Sequence, residues 1–186
     1  MAGLTLDGSQ FKGGGGGVQL DQPGTYPCTL KGASVYKNNL YQSEETRPEI
    51  TLIWDTGLVG ENDDGEEVPV YVYDSFINLS LNEKAKFVNR LTALMGGTLD
   101  PETARLNIGG VTDLNSLPHR KDGRTEVTSL TLNDEDLFGK EALITVTIDG
   151  DWAKVTNASP PVNAAAGTGK LKRKAAPAAA PAGAPT

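Results

Sequence analysis

Aromatic rings and cations are the side chains that this sequence sets out in a usable chemical pattern. Tyr71 and Tyr73 stand two apart in "PVYVYDSFINLS", so an extended strand puts both on one face, opposite Val70 and Val72. Trp54 lies in the preceding apolar run, and Tyr36 and Tyr41 flank a polar loop. Lys31, Lys37 and Arg47 fall in the same stretch. Rings of this kind stack on flat bases for about 1–3 kcal/mol each, and neighbouring cations can meet phosphates. The candidate binding residues are therefore Tyr71, Tyr73, Trp54, Tyr36, Lys31, Lys37 and Arg47. The competing assignment makes Trp54 and one of the tyrosines ordinary core.

Other chemistry is weaker. His119 and Cys28 are each the sole residue of their type, so they assemble no zinc site of the usual ligand set. Nothing marks them as a nucleophile pair; Cys28 reads as a small buried apolar side chain in a reducing compartment. The acidic run "ENDDGEE" (61–67) lacks the spacing of a calcium loop and reads as a solvated hairpin. The five glycines at 13–17 have no strand before them and no Lys-Ser/Thr after them, which excludes a phosphate loop. "HRKDGR" (119–124) is the basic cluster of the body; it reads as a solvated loop, with a backbone clamp as the alternative. The expectation is a protein that binds rather than catalyses, with no cofactor and no metal.

The elements that would hold these residues are mostly strands. "GTYPCTLKGASVYKN" (24–38) alternates Tyr26, Cys28 and Leu30 with polar neighbours, and Gly32 sits where a bulge would fall. "PEITLIWDTG" (48–57) and "PVYVYDSFINLS" (69–80) are the second and third strands, joined through the turn signal "DDG". One amphipathic helix follows over 80–96. Ser80 and Glu83 have capping-box spacing, Phe87, Leu91, Leu94 and Met95 form the apolar stripe, and Gly96 or Gly97 stops it. Residues 98–135 carry fainter signals: a short helix start at Pro101 and a strand-like "VTSLTL". "DLFGKEALITVTIDGD" (136–151) turns directly into "WAKVTNASP" as a closing hairpin.

Charge and composition set the boundaries. The net charge is −7, but the four cations after residue 158 stand without an acid, so residues 1–158 carry 13 − 24 = −11. An acidic body does not bind nucleic acid through bulk charge, though a locally basic groove is compatible with it. No apolar run reaches the ~20 residues of a membrane span, and the first residues lack the pattern of a signal peptide. Residues 1–20 read as a flexible Gly-rich arm, 21–158 as the folded domain, and 159–186 as a disordered Ala/Pro-rich tail. Lys172, Arg173 and Lys174 in that tail could tether nucleic acid.

The order strand, strand, strand, helix, strand, strand is that of an oligonucleotide/oligosaccharide-binding (OB) fold. The expected architecture is mainly β: a five-stranded Greek-key barrel with one helix (80–96) capping an open end between strands three and four.

The pattern "YPCTLKGASVY…PEITLIWDTG…VYVYDSFINLSLNEKAKFVNRLTALMG…DLFGKEALITVTIDGDWAKVTN" resembles small bacteriophage proteins of the single-stranded-DNA-binding or replication-accessory type. The resemblance covers about residues 24–158 and rests mostly on core and turn positions. It implies an OB-like barrel that binds single-stranded DNA without sequence specificity, in phage replication or recombination. Partners would be the DNA and other replication or recombination proteins, in the cytoplasm of a bacterial host. The chain departs from the pattern in its 98–135 insertion, its glycine arm and its basic tail. The acidic tip with which bacterial single-strand binders recruit partners is missing. The alternative expectation is an acidic protein-binding or structural phage module with no nucleic-acid role.

Overall fold

Alternating apolar and β-branched runs separated by regular turn signals form nine strands and one α-helix among the described residues. The structure is a computed structural model that describes residues 18–162; the expectations for the arm through residue 17 and for Lys172, Arg173 and Lys174 lie outside them. β1 (Gly24–Asn39), β2 (Thr46–Glu61) and β3 (Glu67–Asn78) form an antiparallel meander. α1 (Lys86–Leu94) follows. Residues 98–135 then supply β4 (Leu106–Gly109), β5 (Thr125–Val127), β6 (Ser129–Leu132) and β7 (Glu135–Asp136). β8 (Glu141–Asp149) and β9 (Trp152–Ser159) are the closing hairpin, turning at Gly150 with φ +61°.

The main sheet runs β3-β2-β1-β8-β9, with β5 also on β1; β4, β6 and β7 form a second, three-stranded sheet. The expected five strands are thus exceeded, and the sheets are not closed by hydrogen bonds into a barrel. The extra strands come from the insertion; β6 falls within the strand-like "VTSLTL", but the other runs, two to four residues long, are too short for periodicity to reveal.

β1 organises the sheet. On one edge it pairs with β2 throughout Thr29–Asn39, shifting register between Leu30 and Gly32. On the other it pairs in turn with β8 at Gly24–Thr29, with Gly139 and Lys140 at Leu30, and with β5 at Ala33–Val35. The Lys37 N–H then donates to the Pro118 carbonyl (2.8 Å), and the Arg120 N–H donates back to Lys37 (2.8 Å). The insertion is therefore zipped onto β1 backbone to backbone.

One face of the sheet carries the core: Leu30, Val35, Ile50, Leu52, Trp54, Val72 and Ile77, with Leu130, Leu132 and Leu137 from the insertion. Phe87, Leu91 and Leu94 of α1 join it, as the apolar stripe predicts. Leu20, placed by its sequence context in the arm, is also buried.

The helix is shorter than expected at its start. The Ser80 hydroxyl accepts from the Asn82 N–H, and the Asn82 side chain accepts from Lys84, so local turns take the groups a capping box would use. Ala85 is the N-cap, with no side-chain cap. The stop is as expected. The Gly97 N–H donates to Thr92 and Gly96 to Ala93, both glycines at positive φ, which is a Schellman closure. At Pro101 no helix forms; Asp100 instead caps a turn by accepting from Glu102 and Thr103.

Candidate nucleic-acid interface

Tyr36, Arg47, Tyr71 and Tyr73 fall on the face of the sheet opposite the core, and that face is itself partly covered. Ser34 and Tyr36 of β1 and Glu49 and Thr51 of β2 point there, all within about 1% of full burial. Residues 118–124 lie over them. Arg124 places its guanidinium 4.8 Å from the centre of the Tyr36 ring and donates to the Thr51 hydroxyl at 3.2 Å. His119 is hydrogen-bonded to the Asn39 side chain and accepts from the Lys121 N–H, which holds the loop in shape.

Tyr36 therefore cannot stack on a base: its ring is sealed beneath Arg124 and its hydroxyl accepts the Phe76 N–H at 3.1 Å. Trp54 is likewise fully buried, on the core face in register with Val72. Its indole N–H makes no hydrogen bond of normal geometry, although it helps to stabilise the Asp74 carboxylate. The alternation of Ile50, Leu52 and Trp54 already placed Trp54 with the core, and that assignment prevails.

Tyr73 and Tyr71 do point outward, Tyr73 being 41% exposed and Tyr71 intermediate. Burial raises both hydroxyls above their ordinary range, with Asp55 adding to the shift at Tyr71 and Tyr71 at Tyr73. They remain neutral and suited to stacking. Lys31 is exposed at the β1 bulge, next to Gly32 in register with Ile53, so β2 stands between it and Tyr73. Lys37 is committed elsewhere, donating to the Asn115 carbonyl at 2.6 Å. Arg47 is half-exposed and braced on buried Glu49 at 3.0 Å.

The residue that organises the site is Phe76, which pattern reasoning passes over. Strict alternation from Val70, Val72 and Asp74 would send Phe76 inward. Instead the register shifts between Ile50 and Leu52, Ile77 takes the inward place, and Phe76 turns out with φ +60°. A bulky residue in the left-handed region is strained by about 1–3 kcal/mol, and such strain concentrates at binding sites. The ring is 50% exposed. Arg120 lies over it, guanidinium 5.0 Å from the ring centre. The one available clue was the adjacency of Phe76 and Ile77, since a strand cannot bury two neighbours on one face.

Phe76 is also the rim of a shallow groove lined by Arg47, Asn78, Lys84 and Lys86. That lining holds three cations and no carboxylate, in a described region where 12 Lys and Arg face 23 Asp and Glu. The acid-rich β2–β3 turn, with Glu61, Asp63, Asp64, Glu66 and Glu67, lies at the opposite end of β3. The expected loop "HRKDGR" is thus only partly solvated: Arg120 and Arg124 pack on rings.

Tyr36→Phe tests how Phe76 is held. Removing the hydroxyl leaves the Phe76 N–H without its acceptor, for an expected loss of about 1–3 kcal/mol in urea unfolding. A change within error would show that water replaces the contact.

Among the described residues no helix is long and apolar enough to cross a membrane, and no cluster of three or more potential ligands could hold a metal ion. Compared with known proteins, the chain matches no family model, no curated protein and no solved structure.

Proposed function

We propose that this chain is a non-enzymatic, OB-like protein that binds single-stranded DNA without sequence specificity, of the kind used in phage replication and recombination. The observation that carries the reading is Phe76: an exposed ring in strained backbone, with Arg120 on it, at the rim of a groove of three cations. Bases stack on Phe76 and Tyr73, with Tyr71 alongside, while Arg47, Lys84 and Lys86 meet the backbone.

The sheet order supports the OB-like part. β3 and β9, the two ends of the path β3-β2-β1-β8-β9, run parallel because each is two antiparallel steps from β1. Arg90 of α1 bridges them, bonding Asp74 of β3 and the Val155 carbonyl of β9. A helix between the third and fourth long strands that sits on the seam is the OB arrangement, here with side chains where a barrel would have a ladder.

The second reading, an acidic module for a protein partner, rests on the acid-rich β2–β3 turn and the net −11 of the described residues. Fluorescence anisotropy with a labelled dT oligomer separates the two. The full chain is expected to bind at low salt and to release as salt rises. Lys84→Ala with Lys86→Ala should weaken it, whereas alanines at Lys172, Arg173 and Lys174 should weaken it less. Binding lost only with the tail variant would move the site off the sheet. No binding at low salt would reject DNA and leave the protein-partner reading.

A further inference from the structure

Arg120 and Arg124 are drawn together by the loop that carries them. Arg124 lies on Tyr36 and Arg120 on Phe76, and those two residues are joined by the hydrogen bond from the Phe76 backbone N–H to the Tyr36 hydroxyl. Neither guanidinium forms an ion pair with a carboxylate among the described residues. Glu49, the buried acid beside Tyr36 in the β1–β2 register, is already held by Arg47 and by the Asn38 side chain. Asp122 and Glu126, two positions either side of Arg124, are exposed and pair with neither arginine. Two adjacent cations, one of them half-buried, thus stand without counter-charge in an acidic protein that has ample carboxylates to spare. Burial lowers the pKa of Arg124; a coulombic interaction with the Tyr36 hydroxyl opposes this and the like charge of Arg120 adds to it.

We infer that Arg120 and Arg124 form a phosphate-binding site, occupied by two consecutive phosphodiesters, one on each guanidinium, of the strand whose base stacks on Phe76. The planar forks match phosphate oxygens bidentately, which lysine does not. Arg124 is the fixed half, locked by Tyr36 and Thr51. Arg120 is the movable half: among the described residues no hydrogen bond holds its guanidinium, and the Phe76 ring is its partner. An arriving base replaces it on the ring, and the released charge turns to its phosphate. The site rests on the nucleic-acid reading only for the source of those phosphates; the two unneutralised arginines call for an anion in either case.

The test uses the full chain and a fluorescent dT oligomer titrated from low to high salt, for wild type, R120Q, R120Q/R124Q, R120K/R124K and F76A. R120Q/R124Q is expected to bind about tenfold more weakly at low salt and to flatten the plot of log affinity against log salt by about 1.4, the share of two phosphate contacts on a single strand. R120Q alone should flatten it by about 0.7, and decides the matter if the double variant misfolds. R120K/R124K should keep the slope but lose affinity, and F76A should lose affinity at an unchanged slope. A wild-type slope in R120Q, with unaltered circular dichroism, overturns the site and leaves the DNA reading standing. If the wild-type chain binds no oligomer, the DNA reading falls and inorganic phosphate decides. A melting temperature raised by phosphate over chloride at matched ionic strength, and unmoved in R120Q, keeps the pair as a site for free phosphate. No phosphate-specific shift overturns it.

Discussion

Arg90→Ala is expected to lower the free energy of unfolding by about 3–5 kcal/mol, enough to reduce the melting temperature by about 10 °C or more in a domain of this size. Arg90 is 1% exposed, and Nε lies 2.6 Å from the Asp74 carboxylate, itself 3% exposed. Its Nη2 donates to the Val155 carbonyl at 3.3 Å, and Nη1 to the side chain of Asn89. Asn89 in turn exchanges hydrogen bonds with the backbone of Ala158. Two neighbouring residues of α1 thus pin β3 and β9 where the sheet path leaves a seam. Removing the arginine strands Asp74 in the core. Burial already raises the pKa of that carboxyl, and Arg90, with lesser help from Lys86 and Trp54, is what holds it down. Replacing both partners by apolar residues, Asp74→Leu with Arg90→Met, should recover most of the loss, because the cost lies in the uncompensated charge. A single-variant loss under about 1 kcal/mol, the range of exposed pairs, would show that water reaches the seam.

Arg90 also marks the boundary of what the sequence discloses. Its position off the Phe87–Leu91–Leu94 stripe reads as a solvated helix face, and hydropathy alone gives no reason to bury an arginine. The reason is long-range: Asp74 occupies an inward position on β3, where alternation places it with Val70 and Val72. An acid in phase with a core stripe signals a buried cation, and that signal could have been used. The meander, the bulge at Gly32, the turn at Gly65, the apolar stripe of α1 and the β8–β9 hairpin were legible because each depends on residues close in sequence. Of the insertion only the strand-like "VTSLTL", which contains β6, was legible; β4, β5 and β7 owe their existence to pairing with β6 and with β1 rather than to local periodicity.

Which candidate side chains face outward was legible only in part. Tyr71 and Tyr73 face outward as a period of two requires. Trp54 and Tyr36 do not serve, because one face of β2 meets the core and the other is roofed by residues 118–124. Chain neighbours cannot reveal a roof supplied from some 80 residues away. Phe76 went unseen for the same reason, since its orientation depends on a register shift set by β2; Arg120 and Arg124 stood out within "HRKDGR", but their places over Phe76 and Tyr36 depend on where the insertion lands.

Phe76→Gly separates binding from stability. Phenylalanine at φ +60° carries about 1–3 kcal/mol of strain that glycine relieves. Against that relief stand the half-burial of the ring, about 1 kcal/mol, the contact with Arg120, about 0.5–1 kcal/mol, and the added freedom of the unfolded chain, about 0.5–1 kcal/mol. These nearly cancel, so the variant should unfold within about 1 kcal/mol of wild type, whereas Phe87→Ala in the core should cost about 3–5 kcal/mol. Binding should respond in the opposite manner. Loss of one stacking platform weakens affinity for a dT oligomer by about 1–3 kcal/mol, roughly 5- to 150-fold, while Phe87→Ala should spare affinity in whatever fraction stays folded. That combination of results would assign the strained, half-exposed ring to contact with a ligand rather than to the fold. If Phe76→Gly instead destabilises the fold by 3 kcal/mol or more, the ring is structural. If it binds DNA as wild type does, the strain at this position serves a purpose other than base stacking.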